Sequence, residues 1–214
     1  MKTNKDYKNE ALAALKGNWP QAVLCAVTVM FMMFLIASPA GYSTISQSTS
    51  MTLTYLGFLL NIFLLYPLML GYSVAHNRLL TDGDTALTAN MIKDSYCKGY
   101  LRNVVAMLLV YLYTFLWSLL LIIPGIIKGF SYSMTPFIVK DYPELSVNQA
   151  INLSMKMMKG RKFDLFWLYL SFFGWIFLSV FTLGIGMFWL MPYMQTAMAS
   201  FYQDVKNDYV KSNI

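Results

Sequence analysis

Charge is what this sequence has least of. Asp, Glu, Lys and Arg make up 12% of 214 residues, about half the ~25% usual in soluble domains. A surface solvated in the ordinary way is therefore excluded. There is one histidine, His76, and there are two cysteines, Cys25 and Cys97. The cysteines sit far apart in sequence and form neither a metal-ligand spacing nor a disulfide framework, so both read as free thiols. No HExxH, no GxSxG and no phosphate-binding glycine loop occurs. No acid lies inside an apolar run, where it would relay protons. The sequence thus predicts no catalytic residues, no metal and no cofactor, and the chain reads as a non-enzyme. No basic patch interleaved with aromatics is present, which argues against nucleic acid. The first apolar run has no A-x-A cleavage site near its end, so it reads as a retained helix and not as a signal peptide.

What is abundant is apolar length. The chain is 57% hydrophobic with 16 methionines, and its mean hydropathy is +0.51. With no Met-x-x-x-Met lining beside an intramembrane His or Cys, the methionines read as gap-filling side chains rather than a copper path. Crossing ~30 Å of hydrocarbon takes about 20 apolar residues. Six segments approach this: 19–38, 51–72, 101–123, 125–139, 163–182 and 186–202. The intervening segments 38–50, 123–125 and 183–186 hold no Lys or Arg, whereas the other loops and both termini hold fifteen of the sixteen. All ten acids fall on that same side. The positive-inside rule then predicts both termini in the cytoplasm, in a bacterial cytoplasmic membrane. The fold expected is a single all-α, multi-pass membrane domain over 1–214, with six transmembrane helices paired as three hairpins. A competing reading makes IIPGIIKGF a re-entrant loop, at the cost of placing 140–162 outside.

Three segments align without gaps: LKGNWPQAVLCAV, CKGYLRNVVAMLL and MKGRKFDLFWLYL. Each carries a Lys-Gly pair, Lys16-Gly17, Lys98-Gly99 and Lys159-Gly160. A polar residue follows four places beyond each glycine (Gln21, Asn103, Asp164). Upstream of each lies a stretch able to form an amphipathic helix. The clearest starts with a capping box, Ser146 to Gln149, and sets Val147, Ile151, Met155 and Met158 against Asn148, Asn152, Lys156 and Lys159. The unit predicted is a cytoplasmic interfacial helix, a Lys-Gly elbow ending it, and a transmembrane hairpin. The second helix of each hairpin carries a proline: Pro67, Pro136 and Pro192.

The exception to the charge pattern is Lys128, in IIPGIIKGFSYSM. The sequence predicts an outer turn at Pro124-Gly125, with Lys128, Ser131, Tyr132 and Thr135 sharing one helix face at spacings of three and four. An intramembrane cation costs about 3 kcal/mol or more on insertion scales and usually faces protein or a water cavity. Asn61, Gln195 and Thr196 are the polar residues able to reach the same interior. One reading gives Lys128 an anionic group to hold, in a cavity open to the outer leaflet. The other has it snorkel outward or bond the free carbonyls at the Pro124 break.

The run from Ile122 to Asp204 resembles a family of small bacterial integral membrane proteins known only as domain of unknown function number 975. The motifs that carry the likeness are IPGIIK at 123–128, SYSM at 131–134, the elbow at 158–162, Gly174-Trp175, LGIG at 183–186, and the close of the sixth helix at 199–204. ALKGNW at 14–19 extends it toward the N-terminus. The family is similar, more distantly, to the membrane domain attached to some glycerophosphodiester phosphodiesterases. The resemblance implies a polytopic membrane protein and no activity. Taken with the basic elbows, the expected role is binding or moving a lipid or small amphiphile, with membrane lipids as partners. The alternatives are a structural or regulatory subunit of another membrane protein and a small secondary transporter.

Overall fold

A computed structural model describes residues 2–41 and 55–212. The expected start of the second span, at Met51, and most of the uncharged segment 38–50 lie outside the described residues. Eleven helices cover most of the rest, and no strand occurs among the described residues. They are α1 Asn4–Leu15, α2 Trp19–Gly41, α3 Tyr55–Asp82, α4 Leu87–Ile92, α5 Tyr100–Leu120, α6 Ile122–Tyr132, α7 Thr135–Asp141, α8 Val147–Met157, α9 Lys162–Leu170, α10 Phe173–Phe181 and α11 Met187–Ser212.

Four helical stretches are long and apolar enough to cross a membrane: Tyr55–Asp82, Tyr100–Leu120, Ile122–Asp141 and Lys162–Phe181. A fifth arises if α1 and the described part of α2, which meet at a bend of 103°, form one broken span. The expected six are thus not reached by length and composition. α11 is long, but Gln195, Thr196, Ser200 and Gln203 dilute its apolar content. It accepts them because it is an inner helix, with Thr196, Ala197, Ala199, Ser200 and Phe201 buried. A side chain that faces protein need not suit lipid.

Helix ends differ from the ends of the expected spans. The helix that holds the expected second span continues ten residues past Tyr72, carrying His76 and Arg78 inside α3, until Gly83 stops it in the left-handed region at φ 66°. The fourth does not start at Gly125. The chain turns at Leu121, which is extended (φ −162°, ψ 144°), and α6 begins at Ile122. Pro124 and Gly125 therefore lie inside the first turn of α6. Proline is tolerated there because a first-turn N–H has no intrahelical partner to lose. The helix then breaks at Ser133-Met134, just before Pro136, and resumes as α7. The helix of the expected fifth span is interrupted at Ser171-Phe172, and that of the expected sixth runs ten residues beyond Tyr202.

The core lies where α3, α7, α8 and α11 converge. Leu70, Val74, Met134, Phe137, Ile138, Ala150, Ala197, Phe201 and Tyr202 are all buried together there. Phe137 stacks on Tyr202 with ring centroids 4.7 Å apart. The capping box read from sequence, Ser146 with Gln149, forms, and the structure adds a second, Thr3 with Asp6. The buried face of α8 is Ala150, Ile151, Ser154 and Met157, one position round from the expected face, leaving Met155 half-buried. On the outside, Phe34, Phe58, Leu119, Leu120, Ile122, Phe163, Phe173, Val180 and Phe181 are exposed. An apolar exterior of that extent suits lipid rather than water.

Candidate functional site

A largely apolar, aromatic-lined cleft of about 430 Å³ lies between the N-terminal elbow and the corner made by α10 and α11. Leu12 of α1 and Trp19 of α2 line it on one side. Trp175, Leu178, Ser179 and Thr182 come from α10 and the turn after it, at spacings of three and four that place them on one face. Gly186, Trp189, Leu190 and Tyr193 repeat that periodicity at the start of α11. The two faces approach closely because position 186 is glycine. A Cβ there would stand 2.7 Å from Ser179 Oγ. The turn itself uses Leu183 at φ 52° and Gly184 at φ 85°. The polar atoms near this corner are satisfied internally: Ser179 Oγ donates to the Trp175 carbonyl (2.9 Å), and Thr182 Oγ1 accepts from Gly186 N–H (3.0 Å). What remains on offer to a ligand is hydrocarbon, indole and the phenol of Tyr193.

A cation stands behind the cleft. Lys8 Nζ donates to the Ser171 carbonyl (2.8 Å), freed at the α9–α10 break, and lies 4.3 Å over the Phe172 ring. Phe172 in turn packs edge-on against Tyr193, centroids 5.1 Å apart. The sequence reading passed over this site. Its signal was available in the three-four spacing of Trp175, Leu178, Ser179 and Thr182, but apolar periodicity alone does not separate a cleft wall from a lipid-facing surface.

The residues singled out from sequence are placed differently. Lys128 is half-buried on α6, with Nζ 4.6 Å over the ring of Trp117 on α5. Two turns of α6 press against α5 around it: a Cβ at Gly125 would stand 2.2 Å from Ser118 Oγ and 2.8 Å from Ser118 Cα, while Gly129 faces Thr114. GIIKG is thus a G-x-x-x-G contact that lets two helices approach closely. A shallow hollow beside it is lined by Ser118, Leu119, Leu121, Ile122, Ile123 and Pro124, and Lys128 is not among its lining residues. Ser131 Oγ donates to Ile127 O (2.8 Å); Tyr132 is buried near Tyr113; Thr135 is fully buried with Oγ1 unpartnered. Asn61 bonds the Gly57 carbonyl (3.0 Å) within α3, Thr196 bonds Pro192 O (2.8 Å) within α11, and Gln195 is half-buried. Among the described residues no hydrogen bond or ion pair joins Lys128 to Asn61 or Gln195.

The elbows are built as hinges of fixed shape. Gly17, Gly99 and Gly160 all adopt left-handed backbone, at φ 85°, 65° and 84°, a region that costs a Cβ-bearing residue about 1–2 kcal/mol. Lys16 caps the end of α1. The polar residue four places beyond each glycine ties its elbow down. Gln21 Oε1 accepts from Thr88 (3.2 Å). Buried Asn103 donates to the carbonyls of Asp94, Ser95 and Lys98. Asp164 pairs with Arg161 (3.2 Å). Next to Lys159-Gly160, Arg161 also pairs with Asp204 and, at 2.9 Å, with Asp208 of α11. Tyr7 of α1 donates to the same Asp204 oxygen (2.7 Å). Burial works to raise the Asp204 pKa, but hydrogen bonds from Tyr7 and Arg161 outweigh it and hold the carboxyl below its ordinary value.

Residues 118–209 match the family described as "Protein of unknown function (DUF975)". That stretch carries the domain of unknown function number 975. It holds α6 to α10 and most of α11, and so the α10–α11 walls of the cleft and the GIIKG contact, but not Leu12 or Trp19. No curated protein and no solved structure matches the chain. The more distant likeness to the phosphodiesterase membrane domain has no counterpart in these matches.

Proposed function

We propose that this chain is a non-enzymatic bundle of the bacterial cytoplasmic membrane that binds or moves a lipid or small amphiphile. In this reading it has six spans in three hairpins and both termini in the cytoplasm. The observation that carries it is the cleft between Leu12, Trp19 and the α10–α11 corner. It has the volume of a ligand site, almost no free polar atoms, and cationic Lys8 behind it. A lateral hollow of that chemistry inside a bilayer takes an acyl chain. The site moves away from Lys128, whose contacts suit a structural role in packing α5 on α6.

Native mass spectrometry of the chain purified in mild detergent tests this. The expected result is a retained lipid or amphiphile, and at least a tenfold loss of it in Leu178→Trp. Leu178 lines the cleft and is otherwise largely exposed, so the larger ring fills the hollow without removing a core contact. Absence of any retained adduct, or equal retention in the variant, overturns the reading. A second reading, a structural or regulatory subunit of another membrane protein, is favoured by the outward face of α10, where Phe173, Phe177 and Phe181 are exposed. Its mark is a stoichiometric partner retained in place of lipid.

A further inference from the structure

A second cavity, of about 300 Å³, has the opposite chemistry. It lies where the ends of α3 and α7 meet α11, and its lining is nearly all polar. Its surroundings form a built network. Arg78 grips buried Asp94 through both terminal nitrogens, at 2.8 and 3.1 Å. Lys140 Nζ donates to the carbonyls of Asp94 (2.7 Å) and Lys98 (2.8 Å). Lys206 pairs with Asp141, which also accepts from Tyr202 (2.7 Å). Gln203 donates to Asn77 Oδ1 (2.8 Å).

The donors left over decide what fits. Lys140 has used two of its three ammonium hydrogens and Lys206 one. Asn77 is 6% exposed, its Oδ1 is taken, and its Nδ2 has no partner among the described residues. A nine-tenths buried amide with a spare N–H beside two ammonium groups asks for an oxyanion. Yet the cavity is not simply cationic. Arg78, Lys140 and Lys206 are balanced by Asp82, Asp94 and Asp141. Of these, Asp82 makes no ion pair or hydrogen bond among the described residues and is the exposed acid on the rim. A dianion would meet full-strength acceptors at Asp82 and Asp141; a ligand carrying its own cation would not. The volume lies at the low end for ligand sites, enough for a headgroup and not for a whole lipid.

We infer that this cavity binds a small zwitterion, its oxyanion held by Asn77, Lys140 and Lys206 and its ammonium group by Asp82. This goes beyond the acyl-chain cleft and shares no residue with it. The same chemistry is offered by a soluble phosphate ester and by an ethanolamine lipid headgroup.

The test uses the full chain in lipid nanodiscs, with thermal unfolding as the readout and O-phosphoethanolamine, inorganic phosphate and ethanolamine as probes at millimolar concentration. In phosphatidylglycerol discs O-phosphoethanolamine is expected to raise the midpoint by about 3 °C or more, well above either half alone. Asp82→Asn, which removes no folded contact, is expected to reduce that rise to the level of inorganic phosphate. In phosphatidylethanolamine discs, loss of the added rise identifies the headgroup as the occupant, and persistence identifies the soluble ester. Equal effects of inorganic phosphate and O-phosphoethanolamine on the native chain, an undiminished preference in Asp82→Asn, or no rise in phosphatidylglycerol discs overturns the inference.

Discussion

At the scale of single residues, Arg161 has the most to lose. It joins three acids and Tyr7 across α1, the third elbow and α11, and its side chain is 12% exposed. Arg161→Met strands Asp204 in a half-buried site, so denaturation in detergent is expected to show a loss of about 2–3 kcal/mol. That is below the 3–5 of a fully buried pair because Asp208 and Asp164 remain partly in water. The pH dependence has a fixed sign. Asp204 titrates below its ordinary value when folded, so its stabilisation is complete above the unfolded pKa and is lost as pH falls through the folded one. Asp204→Asn is expected to lower stability at neutral pH and to flatten the acid limb of a stability–pH profile. Arg161 itself was only one of thirteen lysines and arginines in the charged loops and N-terminal segment as far as the sequence went. Nothing in a charge count distinguishes a cation that faces lipid headgroups from one that stitches three helices. Lys128 is the mirror case. Its position in an apolar run was plain, while the Trp117 ring that accommodates it lies eleven residues upstream, in another helix.

At the scale of elements, the breaks carry most of what the sequence left unread. α3 contains a π turn at Asn61–Leu65 directly before Pro67. Proline brings no N–H to the preceding turn, and the wider π turn shifts its register, so carbonyls there need other donors. Tyr100 Oη donates to the Phe63 carbonyl and Tyr96 Oη to that of Leu64, both at 2.8 Å. The break before Pro136 is treated alike, with buried Ser154 of α8 donating to the Ser131 carbonyl (2.8 Å). Hydroxyl groups from neighbouring helices thus do inside the bundle what water does outside it. Tyr100→Phe is expected to cost about 1–2 kcal/mol, and less in a Pro67→Ala background where an N–H is restored; a double-mutant cycle measures the difference. Gly125→Val, by contrast, forces α6 off Ser118 and is expected to lower the unfolding midpoint by well over 5 °C. Helix existence, the capping box of α8 and the elbows were legible because they depend on neighbours three and four residues away. The extension of α3 and the real start of α6 were not. Each is decided by tertiary partners that let a helix run past its apolar stretch or fold a proline into its first turn.

At the scale of the whole molecule, polarity is sorted by place. The ion pairs link the segment around Tyr7, the second and third elbows and the end of α11, in keeping with the loop charges, while α5, α6 and α10 present apolar surface outward. Cys97 is exposed beside the second elbow and Cys25 is buried, which provides a probe of orientation. A membrane-impermeant maleimide is expected to label Cys97 in inside-out vesicles and not in right-side-out ones; the reverse pattern would invert the topology proposed. The cleft has a consequence of its own for time. Its wall α10 buries only Ser179 along nine residues and is held at its start by the Ser171-Phe172 break and at its end by the turn at Leu183. Such a segment, with Ile176 as its partly buried contact to the core formed by α3, α7, α8 and α11, has little to break on moving away from α11, so its opening free energy is expected to lie far below that of global unfolding. If the cleft holds an acyl chain as proposed, its residence is expected to be set by the swing of one short helix on the microsecond-to-millisecond scale. A disulfide tethering α10 to α11 is expected to slow exchange of a labelled lipid far more than it changes the amount bound at equilibrium.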